Sequence, residues 1–207
     1  MPIFKSIEEA QEAHKHYHID TDMEGKYRKD ASNMGRFRVE WLIEQVPEGS
    51  FVLEIGCNSG GLCKRIQDEK KAYVKGIDIC EEMVARAKAK GVSAEVGVAE
   101  DLPYKDNAFE VVVMTEVMEH LFDPKVVLKE IYRVLKPGGI FIGSVPHPEG
   151  HNTKKRPLEE HDYHCHVFTW DELYTLFEDF DDIELDYIYW TEDFTKQKQW
   201  TVWKGVK

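Results

Sequence analysis

Residues 51–145 alternate between short apolar segments and segments with helical spacing, and this alternation restricts the chain to few folds. The short segments have the length and apolar character of buried strands: 51–55, 72–78, 93–98, 109–115 and 140–145. The helical segment at 81–90 begins with acidic residues, ends with basic ones and stops at Gly91, as the helix dipole favours. Strands joined by helices at this spacing predict a parallel, doubly wound α/β sheet.

The C-terminal part departs from this alternation. Residues 182–190 and 200–206 have the character of strands with no helix between them, which predicts an antiparallel pair at one edge. We therefore expect a Rossmann-like sheet of seven strands that is mostly parallel, with an antiparallel C-terminal edge. The sheet would form one domain over residues 47–207, and residues 1–46 would form a helical extension that acts as a lid.

Charge and hydropathy argue against several classes of protein. With 39 acidic and 27 basic residues the net charge is −12, which argues against nucleic acid as the main partner. No apolar run approaches the roughly 20 residues that cross a bilayer, and the N-terminus lacks a secretory pattern. We therefore expect a cytoplasmic protein, a monomer or a homodimer, whose four cysteines stay reduced. The basic stretch that includes Arg36 and Arg38 is expected to be solvated surface.

A glycine-bearing turn joins the first strand to a helix and predicts a ligand site. Gly56 and Gly60 allow close approach of the backbone, and the helix presents free N–H groups to a carboxylate or phosphate. The turn matches a dinucleotide fingerprint poorly, because Asn58 stands at the second glycine position. Glu54 favours a ligand with an ammonium group, and Asp78 can accept hydrogen bonds from ribose hydroxyls. The expected ligand therefore carries a ribose and a cationic group.

Five segments resemble, in order and spacing, the motifs of class I S-adenosylmethionine-dependent methyltransferases: 54–60, 76–79, 99–104, 109–113 and 135–139. The resemblance implies that the turn at 56–60 faces the methionine half of the cofactor. It also implies that Asp78 binds the ribose hydroxyls and that residues 99–100 meet the adenine. The cofactor-binding residues implied in this way are Glu54, Gly56, Cys57, Asn58, Gly60, Asp78, Ile79, Ala99, Glu100 and Thr115.

The fourth predicted strand ends in side chains that suit a divalent cation. Glu116, Glu119 and His120 are spaced by three and four residues, so a helical turn can place all three on one side. Two carboxylates and an imidazole are typical ligands of divalent metals such as Mg²⁺, Mn²⁺ or Zn²⁺. A fourth ligand would come from the histidine-rich segment at 146–168, in which His166 stands in a loop just before a predicted helix.

The pattern E-x-x-E-H, followed by H-x-F-x-W, resembles the metal-dependent 2′-O-methyltransferases that modify the 3′ ends of small RNAs. E-x-x-E-H alone also resembles the O-methyltransferases of ubiquinone biosynthesis. The first resemblance implies that Glu116, Glu119, His120 and His166 hold the ion, with His120, Glu119 and His166 as catalytic residues. Two alternatives stay open, namely His120 as a base without a metal and a structural role for the whole group.

The predicted function is methyl transfer from S-adenosylmethionine to a hydroxyl of a small molecule, with or without a divalent metal. Metal-free transfer to nitrogen or carbon and 2′-O-methylation of RNA are alternatives within the same fold. A non-catalytic protein that binds the cofactor is an alternative of a different class. A nicotinamide oxidoreductase is disfavoured by Asn58 and Glu54. The histidines at 14, 16 and 18 are expected to line a polar helix face.

Overall fold

The computed structural model describes residues 4–17, 35–148, 164–189 and 198–207. The predicted connector at 20–33 and most of the loop at 146–168 lie outside these residues. The elements in chain order are α1 Ile7–Tyr17, α2 Gly35–Gln45, β1 Phe51–Ile55, α3 Gly61–Lys70, β2 Tyr73–Asp78, α4 Glu81–Ala89, β3 Ser93–Val96, β4 Phe109–Thr115, a 3-10 turn Met118–His120, α5 Pro124–Val134, β5 Leu135–Pro146, α6 Trp170–Leu176, β6 Asp181–Tyr189 and β7 Lys198–Val206.

The seven strands form one sheet in the order β3-β2-β1-β4-β5-β7-β6. The strands from β1 to β5 pair in parallel, whereas β7 runs antiparallel between β5 and β6. This arrangement confirms the predicted mostly parallel sheet with an antiparallel C-terminal edge. The strand order reverses between β1 and β4, which makes the carboxyl ends of these two strands the expected ligand crevice.

The fifth strand is longer than the sequence predicts. The sequence predicts this strand at residues 140–145, but β5 already begins at Leu135. Leu135 pairs with Phe109, and the register shifts before Val111 pairs with Ile140. Because of this irregularity, Pro137, Gly138 and Gly139 lie within β5 and do not form a separate loop.

Two helix starts agree with the capping residues in the sequence. The Asp123 side chain accepts a hydrogen bond from the backbone N–H of Lys125, and Pro124 occupies the first helical position of α5. The N-terminus of α6 has both halves of a capping box, formed by Thr169 and Glu172. This second cap fixes where the segment before α6 ends, and that segment reaches the candidate site.

Apolar side chains fill both faces of the sheet. One core cluster joins α5 and α6 to the sheet and includes Leu53, Val112 and Trp203. The other packs beneath α2 and α3 and includes Val52 and Val113. Neighbouring residues of one strand thus enter opposite clusters, as expected for strands buried on both faces. All four cysteines are free thiols. Among the described residues, no helix has the length and apolar character that a membrane span needs.

Candidate active site

The turn after β1 takes a conformation that requires glycine at two positions. Gly56 and Gly60 have φ of +71° and +75°, in the left-handed region that side chains disfavour. A Cβ on Gly56 would overlap the Val117 side chain, and one on Gly60 would lie 2.9 Å from the Cβ of Ala87. The Gly56 N–H donates to the carbonyl of Ile77 at 2.8 Å, so the turn is fastened to the end of β2.

Two buried carboxyl groups lie under this turn. Asp78 accepts hydrogen bonds from the backbone N–H of Asn58 at 2.7 Å and of Cys80 at 2.9 Å. Burial raises the pKa of Asp78, although these amides act in the opposite direction. Glu54 is 1% exposed and its Oε2 has no hydrogen-bond partner. Burial raises the pKa of Glu54 to about 8; a hydrogen bond with Cys63 opposes this rise and the charge of Asp78 adds to it.

Helix α1 lies beside the predicted adenine segment. The side-chain amide of Gln11 donates to Glu100 at 3.1 Å. Ala99 packs against the core at the same edge of the sheet. One turn further along α1, the His14 ring contacts the His120 ring, with 5.0 Å between centroids. His14 therefore packs into the site instead of lining a polar face of the helix.

The end of β4 is tied to its neighbours by polar contacts. The Thr115 hydroxyl lies 2.9 Å from the hydroxyl of Ser144. Glu116 follows with φ of +55°, and its carboxylate forms an ion pair with Arg38 at 2.8 Å. The indole N–H of Trp200 donates to the other oxygen of Glu116 at 2.9 Å. These partners engage both oxygens of the Glu116 carboxylate.

The next residues form a group of metal-ligating side chains. Glu119, His120 and His164 each offer one ligand atom, and these atoms lie within 4.8 Å of one another. The rings of His120 and His164 are 4.7 Å apart between centroids. The segment that carries His164 is docked here because the backbone N–H groups of Cys165 and His166 both donate to the carbonyl of Glu119, at 2.7 and 3.1 Å.

Of the four predicted metal ligands, the structure brings together Glu119 and His120. Glu116 and His166 are absent from the one such group among the described residues. Glu116 instead pairs with Arg38, and His166 stacks on Phe168 with 5.3 Å between ring centroids. The Nε2 atom of His166 is buried without a hydrogen-bond partner.

His164 was one of the histidines in the segment expected to supply the fourth ligand, but the sequence favoured His166, and the role of Arg38 was missed. His164 stands two positions before His166, and only the docking on Glu119 decides which ring reaches His120. Arg38 was expected at the surface but is 2% exposed. A signal for its burial was present, since Arg38 lies four residues before the buried Leu42 on the same face of α2.

The central strands of the sheet are similar to those of a known domain family. Residues 53–143 match the model of a family described as a methyltransferase domain, and this range holds most of β1, all of β2 to β4, the glycine turn and Glu119 and His120. Residues 53–143 therefore form a methyltransferase domain. The resemblance stated from the sequence motifs is thereby confirmed.

The names of two relatives of this methyltransferase domain assign different acceptor atoms for the methyl group, carbon in one and oxygen in the other. The chain is 36% identical over 134 residues, or 61% of its length, to a 24-methylenesterol C-methyltransferase 2 of Arabidopsis thaliana. It is 33% identical over 136 residues, or 60% of its length, to a ubiquinone biosynthesis O-methyltransferase of Pseudomonas entomophila. The matched parts span only 37% and 56% of these two relatives.

A solved structure from Thermotoga maritima extends the comparison to the fold. It is described as a SAM-dependent methyltransferase and possible histamine N-methyltransferase. The TM-score is 0.69 at 25% identity, with 82% of this chain and 87% of that chain covered. The similarity in fold therefore extends beyond residues 53–143.

Proposed function

We propose that this chain binds S-adenosylmethionine at the turn 56–60 and transfers the methyl group to a hydroxyl of a small molecule. The observation that carries the proposal is the position of Glu119 and His120, on a turn whose Val117 packs against Gly56. A proton acceptor therefore lies beside the predicted cofactor site, as methylation of a hydroxyl requires. The ubiquinone O-methyltransferase relative supports a hydroxyl acceptor.

Three features of the turn suit this cofactor. Gly56 and Gly60 give the turn its left-handed backbone, which other residues rarely adopt. The Oε2 atom of Glu54, which has no hydrogen-bond partner, can accept a hydrogen bond from the α-ammonium group. Asp78 has lone pairs for two ribose hydroxyls beyond those that the backbone amides use. When bound, S-adenosylmethionine supplies a methyl group on a positively charged sulfur.

On the acceptor side, His120 would take the proton of the hydroxyl, while Glu119 and His164 lie close enough to orient its ring. These three residues also suit Mn²⁺ or Zn²⁺, and a bound cation would lower the pKa of the acceptor hydroxyl. In this ligand set His164 takes the position that the sequence assigned to His166. Glu116 is left out because it pairs with Arg38.

We expect metal-stripped protein saturated with S-adenosylhomocysteine to bind one Mn²⁺ or Zn²⁺ ion per chain in a calorimetric titration. Glu119→Gln and His164→Ala should each weaken this binding by at least about 10-fold, the loss that even an outer-shell partner causes. His166→Ala is the matched control, because it lies on the same segment outside the group, and its affinity should equal that of the wild type. Absence of binding to the wild type would leave His120 as a base without a metal.

The class of acceptor can be tested with S-adenosylmethionine that carries a radioactive methyl group. We expect label to pass to phenols and other hydroxyl compounds, and not to matched amines or carbon acids. Transfer to amines or carbon acids would favour the alternatives that the names of the Thermotoga and Arabidopsis proteins suggest. A short RNA belongs in the same panel, although the net charge of −12 and the ion pair of Glu116 disfavour it.

The buried Glu54 makes a further prediction about pH. Its pKa is about 8 in the free protein, and a neighbouring ammonium group favours the ionised form, so the pKa falls when S-adenosylhomocysteine binds. The affinity should therefore rise with pH through the window that ends near pH 8, with release of up to one proton per ligand bound. Calorimetry in two buffers of different ionisation enthalpy measures this proton directly.

Glu54→Gln is the control for the pH prediction. It keeps the size of the side chain and removes the titration, so the variant should bind more weakly and release no proton from this site. Three other groups face Glu54, the Asp78 carboxylate and the thiols of Cys57 and Cys63, and all three remain in the variant. A proton release unchanged by Glu54→Gln would assign the pH dependence to one of those groups.

The location, oligomeric state and acceptor class expected from the sequence are also part of this proposal. We infer a cytoplasmic protein that acts as a monomer or a homodimer on a small molecule and not on nucleic acid. The domain 47–207 would then carry the reaction, and the extension 1–46 would cover the site through α1, whose Gln11 and His14 contact Glu100 and His120.

A further inference from the structure

Glu116 has a left-handed backbone conformation, which is uncommon for a residue other than glycine. Its φ of +55° lies in the left-handed region, which glycine enters freely and other residues enter only when their surroundings hold them there. Its backbone N–H still donates to the carbonyl of Ser144 at 2.9 Å, so the chain turns sharply at the last hydrogen bond of β4. The side chain of Glu116 must therefore be held by its partners.

Those partners come from three separate elements. Arg38 of α2 reaches one carboxylate oxygen with its Nη1 at 2.8 Å. Ser144 of β5 donates to the same oxygen at 3.2 Å, and Trp200 of β7 donates to the other at 2.9 Å. The guanidinium group of Arg38 also lies 5.0 Å from the centre of the Trp200 ring. In this network Arg38 carries the positive charge and Glu116 the negative charge, while Ser144 and Trp200 are neutral.

The backbone conformation of Glu116 affects the position of the residues that follow it. Val117 packs against the Gly56 backbone, and the 3-10 turn that follows carries Glu119 and His120. The direction in which these two side chains leave β4 is set by the backbone at Glu116. We propose that Arg38 is a positioning residue that acts through Glu116 and fixes the direction of Glu119 and His120. This role of Arg38 rests on the proposed function only in that Glu119 and His120 form the acceptor side of the site.

Loss of the Arg38 cation should release this arrangement. Glu116 would then be a carboxylate at a half-buried position with no compensating charge, and its left-handed backbone would lose its main support. A relaxed backbone at Glu116 would move Val117 from Gly56 and rotate His120 away from His164. Replacing Glu116 itself by glycine should instead leave the turn in place, because glycine adopts this φ without a clamp.

The test uses the histidine ring signals of ¹³C-labelled protein, which require neither a metal nor an acceptor. In Arg38→Met the signals of His120 and His164 should shift, and amide exchange should rise in the peptide that covers residues 115–120. In the double variant Arg38→Met with Glu116→Gly both signals should return toward the wild-type positions. Arg38→Lys keeps the charge and should shift the same signals less; it also serves if Arg38→Met does not fold.

Arg65→Met is the matched control. Arg65 is also nearly buried and pairs with Glu40 and Glu69, and neither of these partners belongs to residues 115–120. It should lower the melting temperature without shifting the His120 signal. The proposal is wrong if Arg38→Met resembles Arg65→Met, or if Glu116→Gly brings no recovery. Either result leaves the proposed function intact, since binding of S-adenosylhomocysteine and methyl transfer are measured separately.

Discussion

Replacing Asp78 by alanine should weaken the binding of S-adenosylhomocysteine by at least about 100-fold, because hydrogen bonds to a charged group contribute about 1.5–3 kcal/mol each. Two such bonds, to the ribose hydroxyls, would be lost. Asp78 also accepts hydrogen bonds from the backbone N–H groups of Asn58 and Cys80, so its removal loosens the turn that forms the rest of the site. Calorimetric titration with S-adenosylhomocysteine measures the loss.

Asp68→Ala is the control for this result. Asp68 is an exposed carboxylate paired with Lys64 on α3, and its removal should change neither the affinity nor the stability measurably. Asp78→Asn retains one acceptor oxygen, so it keeps one of the two backbone hydrogen bonds and should give an intermediate affinity. An Asp78→Ala variant that binds within about 3-fold of the wild type would remove Asp78 from the cofactor site.

Much of the fold could be predicted from the sequence because strands and helices leave strong local signals. The alternation in residues 51–145 indicated the parallel sheet, and residues 182–190 with 200–206 indicated its antiparallel edge. The start of β5 was missed because Leu135 pairs with Phe109 across a bulge. That pairing depends on tertiary context, which overrides the local signal of a proline followed by two glycines.

The candidate site was only partly predictable, and the reason is physical. The turn 56–60 and the triplet Glu116, Glu119 and His120 are local in sequence, so their spacing could be read. Which side each carboxylate faces depends on Arg38, a residue 78 positions before Glu116. The spacing of three residues assumed a regular helical turn, whereas φ at Glu116 is +55° and sends its side chain toward α2. Spacing alone cannot predict a left-handed residue.

Replacing Gly56 by alanine should both destabilise the protein and abolish measurable cofactor binding. The left-handed φ costs an alanine about 1–2 kcal/mol, and the overlap with the Val117 side chain adds about 1–3 kcal/mol. Gly91→Ala is a matched control, because Gly91 has φ of +81° but a Cβ there would meet nothing within 4 Å. It should therefore lose only the backbone contribution and bind S-adenosylhomocysteine as the wild type does.

A second substitution distinguishes overlap from backbone strain at Gly56. Val117→Ala removes the methyl group that the new Cβ would strike, so the double variant should be more stable than Gly56→Ala alone, with a coupling of at least about 1 kcal/mol. Thermal unfolding of the four proteins measures this coupling. If Gly56→Ala and Gly91→Ala lose equal stability and the coupling is zero, the contact with Val117 contributes nothing. A measured coupling would instead mean that the turn 56–60 and the residue that precedes the turn carrying His120 interact directly, because Gly56 and Val117 meet there.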